Sequence, residues 1–152
     1  MSESKREDPV HFRFMNEIAI IDQLASRLFE RVMPEGMTLP QFGVLNHFVR
    51  LDRPSSPQRL ASAFQVTKGA MTNTLQHLAA KGLVTVAPDP EDGRAKTVTI
   101  TAAGRAARDE AIVALRPLIR RLAEAVSPTE VEQALPILVR VRTYLDSERD
   151  NR

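Results

Sequence analysis

The side chains best suited to chemistry stand between Thr67 and Lys81. Ala70, Met71, Thr74, Leu75 and Leu78 fall at helical spacing and mark one face for burial. The opposite face then presents Lys68, Gly69, Thr72, Asn73, Gln76 and His77. These are donors and acceptors of short or medium reach, with no carboxylate among them. A solvated helix face usually carries Glu–Lys pairs, which this one lacks. Such a set suits a groove lined by base edges and flanked by phosphates. Asn73 and Gln76 can pair bidentately with adenine, Thr72 can hydrogen-bond or touch a thymine methyl, and His77 can approach a phosphate. Thr67 and the first-turn amides offer a phosphate site at the helix N-terminus. The charge pattern agrees. Overall, 21 bases nearly balance 19 acids, yet from Arg53 to Lys81 there are four bases and no acid. A basic segment inside a neutral average points to a polyanionic partner.

The elements that must position this face can be read from periodicity and caps. Phe14, Ile18, Ile21, Ala25, Leu28 and Val32 recur at spacings of three and four, the stripe of a long first helix. Thr38-Leu39-Pro40-Gln41 is a capping box, with Gln41 expected to reach back, and opens a second helix ending near Asp52-Arg53-Pro54. Ser55-Ser56-Pro57-Gln58 starts a short third helix, and the pattern resets at Gln65-Val66-Thr67, where Thr67 caps the helix just described. A short helix, a tight turn and a longer helix make a helix-turn-helix. Gly82 is placed to stop the longer one.

LVTVA at 83–87 and KTVTI at 96–100 are β-branched runs of period two, joined as a hairpin by a proline-stiffened, charged loop. After a helix-turn-helix such a ribbon is a wing. Gly93 is read as allowing its turn, Arg94 as a probe for a narrow minor groove, and Asp92 as a carboxylate able to pair with Arg94 or a neighbour and fix its direction. Ser56 at the start of the third helix and Lys96 on the returning strand complete the expected DNA contacts. Thr101 then opens a helix with Ile112, Leu115, Ile119, Leu122 and Val126 along a seam, and Ser127-Pro128-Thr129-Glu130 caps a last helix. Pro117 and Pro136 are expected to kink these two helices. The fold class expected is mostly α with a small β-hairpin wing, in one domain over 1–152. A DNA-binding lobe would span 38–100. Residues 10–34 and 102–147 would be dimerisation helices, their broad apolar faces covered by a second subunit.

Other chemistries find little support. Cysteine is absent, which excludes disulfides, thiolate zinc sites and cysteine nucleophiles. His11, His47 and His77 lack ligand spacing, so no metal or other cofactor is expected. The acids Asp89, Glu91 and Asp92 cluster on an exposed tip without a pocket, a poor place for catalysis, so the chain is not read as an enzyme. There is no long apolar run, and the charged N-terminus is unlike a secretory signal. A cytoplasmic protein is expected. A winged-helix protein-interaction module is the alternative, but its exposed helix should carry apolar anchors.

The run VTKGAMTNTLQHLAAKGLVTVAPDPEDGRAKTVTITAAG resembles the recognition helix and wing of MarR-type regulators. The resemblance rests on Leu78-Ala79-Ala80-Lys81-Gly82-Leu83-Val84, on Asp89-Pro90-Glu91-Asp92-Gly93-Arg94, and on Ile100-Thr101-Ala102-Ala103-Gly104. It implies a winged helix-turn-helix homodimer that reads two half-sites of a near-palindromic operator as a repressor. Arg94 would enter the minor groove, supported by Asp92. Many relatives carry a second arginine where this chain has Gly93, which removes a charge from the tip and should weaken the wing contact. Pro136 in the last helix is a further departure. The resemblance also implies a small organic effector that alters the spacing of the two recognition helices.

Overall fold

The computed structural model describes residues 7–150. Eight elements follow in order: α1 (Val10–Val32), α2 (Leu39–Leu51), α3 (Pro57–Phe64), α4 (Lys68–Ala80), β1 (Val84–Pro88), β2 (Lys96–Ile100), α5 (Ala102–Ala125) and α6 (Pro128–Asp150).

Side-chain caps set the helix starts. Thr38, Ser56, Thr67 and Thr101 each accept the backbone N–H three residues on, at 3.3, 3.1, 3.1 and 3.0 Å. The capping box at Thr38 closes only in one direction. Gln41 does not reach back to the cap. Its side chain is buried, and its Oε1 accepts a 2.8 Å hydrogen bond from Lys81 Nζ, which also donates to the Gly36 carbonyl. A buried amide needs a partner, and the ammonium arriving from the end of α4 supplies one. Lys81 thereby ties α4 to the start of α2.

α4 ends as its glycine suggests. Gly82 adopts φ 71°, and Leu83 N–H returns to the Leu78 carbonyl at 2.9 Å. The turn between α3 and α4 uses a costlier device. Gln65 itself takes the left-handed conformation, φ 52°, with its Nε2 donating to the Ser62 carbonyl at 2.6 Å.

Buried apolar side chains converge from five elements. Val44, Leu45 and Phe48 of α2 meet Leu60 and Ala61 of α3, Met71, Leu75 and Leu78 of α4, and Val84 and Val98 of the strands. Burying each of the larger ones contributes about 1.5–3 kcal/mol. Ala70, expected on the buried face of α4, is exposed, and Thr74 is half-buried with its hydroxyl donating to the Ala70 carbonyl. The core contact is therefore narrower, running through Met71, Leu75 and Leu78.

The two strands pair antiparallel from Val84↔Ile100 to Pro88↔Lys96. Ser55, just before α3, adds a single bridge to Val98, exchanging hydrogen bonds of 3.0 and 2.8 Å. That bridge anchors the hairpin to the helix-turn-helix.

α5 and α6 each continue as one helix through Pro117 and Pro136, so neither proline ends its helix. Both prolines are exposed. Water can satisfy the carbonyl each one orphans, and the ring meets no packed neighbour. α5 is tied to α2 by Arg105–Asp52 at 2.5 Å and by Arg108, whose Nε and Nη2 both donate to Asn46 Oδ1 at 3.1 Å. Large apolar side chains nonetheless stay exposed on α1, α5 and α6, among them Ile21 and Leu24, Ile119 and Leu122, and Leu135 and Leu138.

Candidate nucleic-acid interface

Three elements frame one groove. The start of α3, the outer face of α4 and the inner side of the hairpin enclose a space of about 590 Å³. Its lining brings together six residues singled out from the sequence: Ser56, Lys68, Thr72, Gln76, Arg94 and Lys96. Gln58 joins them, although in sequence its place in Ser55-Ser56-Pro57-Gln58 signals only a helix start. The lining carries three cations and no carboxylate. Lys68, Arg94 and Lys96 give the lining a formal excess of positive charge.

The other expected contacts surround this groove. Gly69 and Asn73 lie exposed on α4. The Thr67 hydroxyl oxygen accepts from Ala70 N–H, which leaves its own proton free to donate outward. His77 is committed inward: Nδ1 lies 2.8 Å from the Asn73 carbonyl. A carbonyl is only an acceptor, so this contact is a hydrogen bond only with a proton on Nδ1.

The wing tip departs from expectation in two ways. Asp92 does not grip the Arg94 guanidinium. Its Oδ1 accepts the Arg94 backbone N–H at 3.0 Å, while its carbonyl accepts from Ala95 at 3.0 Å. An aspartate two residues before its acceptor amide is well placed for such an Asx turn, which competes with the longer reach to a mobile guanidinium. Asp92 thus sets the backbone from which Arg94 projects. Gly93, in turn, is not at positive φ, and a Cβ there would meet nothing within 4 Å. The turn does not use its conformational freedom. Asp89, expected only as one of the exposed acids of the tip, holds the turn instead. Its Oδ1 accepts from Glu91 N–H at 2.8 Å and Asp92 N–H at 3.4 Å, and its own N–H donates to the Ala95 carbonyl at 2.9 Å. The Asp-Pro pair at 89–90 was the available signal.

Among the described residues, no group of three His, Asp or Glu side chains could hold a metal ion, and no helix is long and apolar enough to cross a membrane.

The model of the MarR family matches residues 35–95, which hold α2 to α4, β1 and the wing tip. No curated protein sequence matches the chain. Among solved structures, the transcriptional regulator BldR from Sulfolobus solfataricus is 30% identical, with 86% of this chain and 95% of that one covered at a TM-score of 0.70. A mutant MarR from E. coli, solved in complex with operator DNA, is 27% identical over 85% of this chain and 93% of its own, at a TM-score of 0.66. A further MarR structure shares the fold over 99% of this chain at a TM-score of 0.79, with 20% identity. The groove geometry, the family model over α2 to α4, β1 and the wing tip, and the 30% identity to BldR lead to one conclusion: the chain belongs to the MarR family of winged-helix, DNA-binding transcriptional regulators, and is not an enzyme.

Proposed function

We propose that the chain is a ligand-responsive repressor that binds a near-palindromic operator as a homodimer. The observation that carries this reading is the acid-free groove shared by α3, α4 and the wing. In it, α4 lies in the major groove. Asn73, Gln76 and Thr72 read base edges, while Ser56, Thr67, Lys68, His77 and Lys96 hold phosphates. Arg94, on a backbone set by Asp92, enters the adjacent minor groove. Residues 38–100 form the DNA-binding lobe. Residues 10–34 and 102–147 form the dimerisation helices, and their exposed apolar faces support that assignment. A small organic effector shifts the spacing of the two recognition helices away from the roughly 34–36 Å that successive major grooves require.

Selection from a random duplex pool by the purified protein, at stated salt, tests this. The expected product is an inverted pair of half-sites centred about 10 base pairs apart. Asn73→Ala and Gln76→Ala should each relax preference at defined positions, by about 1–3 kcal/mol of discrimination. A pool without an enriched inverted repeat overturns the reading.

Gly69 gives a second test. It sits in the first turn of α4 with nothing within 4 Å of a Cβ. Gly69→Ala should therefore stabilise the fold, by roughly 0.5–1 kcal/mol. Bound DNA would meet the added methyl where the first-turn amides approach the backbone, so affinity should fall as the melting point rises. If both rise or affinity holds, Gly69 does not face the phosphates.

A further inference from the structure

We infer that the cavity between α2, α3 and the last turns of α6 binds a small multivalent oxyanion, a di- or tricarboxylate or a phosphorylated organic acid. The cavity measures about 790 Å³, within the usual range for small-molecule sites, and shares no lining residue with the groove beneath the wing.

Its charge is unbalanced. Arg50 from α2, Arg53 from the following loop and Arg59 from α3 line it, and none makes an ion pair or side-chain hydrogen bond with a described residue. α6 adds Arg142 and Arg149, with Asp146 3.5 Å from the first and 3.9 Å from the second. Asp150 is the only other carboxylate in the lining, 3.4 Å from Arg149 Nε. Five guanidiniums thus face two carboxylates, an excess of three positive charges.

Arg149 is the clearest sign of a missing acceptor. Its Nε and Nη1 are removed from solvent and make no hydrogen bond with any described residue, Asp150 being too poorly aligned to accept one. Guanidinium forks favour bidentate oxyanions. Burial, then Arg50 and Arg53, hold the His47 imidazole below its ordinary pKa, while Asp146 pulls the other way, so the positive field is felt on a cavity wall. Leu51, Pro54 and Phe64 give the ligand an apolar wall for a carbon skeleton. A monoanion would leave most of the excess charge unmatched, whereas an anion of charge two or three matches it.

The site also touches the joint between lobes. Asn46 lines it, and the same side chain accepts both hydrogen bonds from Arg108 of α5. An anion that takes the Asn46 amide N–H fixes the α2–α5 contact, so occupancy can reach the orientation of α4. This consequence rests on the ligand-responsive reading above; the binding itself does not.

Calorimetric titration of the 152-residue chain, without DNA and at constant ionic strength, tests the binding. The probes are citrate, inorganic pyrophosphate and acetate. Saturable binding of citrate or pyrophosphate is expected, with acetate at least about tenfold weaker. Citrate alone would identify a carboxylate ligand, pyrophosphate alone a phosphoryl one, and both together the shared oxyanion chemistry. Arg53→Gln and Arg149→Gln should each weaken binding about tenfold, at unchanged circular dichroism and melting point, and the remote, exposed Arg120→Gln should not. If Arg149→Gln fails to fold, Arg53→Gln carries the test. The inference is overturned if neither polyanion binds, if acetate binds as tightly, or if Arg53→Gln binds like wild type. A failed operator selection leaves this result readable, and the reverse holds too.

Discussion

Gly104→Ala is expected to cost the fold roughly 3 kcal/mol, the upper part of the range for forced overpacking. Gly104 lies in the first turn of α5, where the helix crosses the base of the hairpin. A Cβ there would run into the Leu83 carbonyl oxygen and stand 2.8 Å from Ile100 Cγ1 and 3.0 Å from the Leu83 carbonyl carbon. The nearest obstacle is backbone and is held at both ends. Leu83 N–H donates to the Leu78 carbonyl at 2.9 Å, and the Leu83 carbonyl accepts from Thr101 N–H at 3.1 Å. Thr101 also clamps the joint, its hydroxyl donating to the Gly82 carbonyl at 2.7 Å and accepting from Gly104 N–H at 3.0 Å. The methyl can fit only if α5 lifts from the wing base, which would break these contacts together. Thermal melting should show a fall of roughly 10 °C for a chain of this size. Gly93→Ala, with open space at its Cβ, is the control and should melt close to wild type. A Gly104→Ala melting point equal to wild type would mean that α5 and the hairpin do not approach this closely.

This joint illustrates which features periodicity and caps could reveal. Thr101 reads as a cap because a hydroxyl before a helical stripe has few other uses, and Gly82 as a helix stop because α4 needs a left-handed residue there. The polar face of α4 followed from spacing alone, and six of the residues chosen from sequence line one groove. What spacing does not encode is competition for a partner. Gln41 was free to close its capping box, but Lys81, forty residues away in sequence, takes its amide. Asp92 could have paired with a guanidinium, but a backbone N–H lay nearer. Pro117 and Pro136 are both exposed, and the helices that hold them continue past them. Ala70 fell within the apolar stripe, yet α4 meets the core along a narrower line. The arginines of the α2–α3–α6 cavity are scattered over a hundred residues, so only the return of α6 places them together.

Arg94→Ala should weaken operator binding about tenfold per wing and flatten the dependence of log K on log salt by about one unit per wing. Arg94 is exposed, lines the groove beside Lys96 and has no ion pair with a described residue, so its charge is available to DNA. Its backbone, in contrast, is fixed by Asp92 and, through the turn, by Asp89. The two aspartates therefore act on conformation, and the substitutions separate charge from geometry. Asp92→Asn keeps an oxygen that can accept the Arg94 N–H and removes a negative charge near phosphate, so it should bind DNA at least as well as wild type. Asp92→Ala loses the acceptor and should weaken binding. Had Asp92 gripped the guanidinium, Asn and Ala would both weaken it. Gly93→Arg completes the series. The position neither needs positive φ nor crowds a neighbour, so the arginine should fold normally, tighten binding and steepen the salt slope by about one per wing. Filter binding or fluorescence anisotropy across a salt series measures all four variants. An Arg94→Ala protein with wild-type affinity and slope would remove the wing from the interface, because every other assignment at the tip depends on Arg94 reaching the DNA.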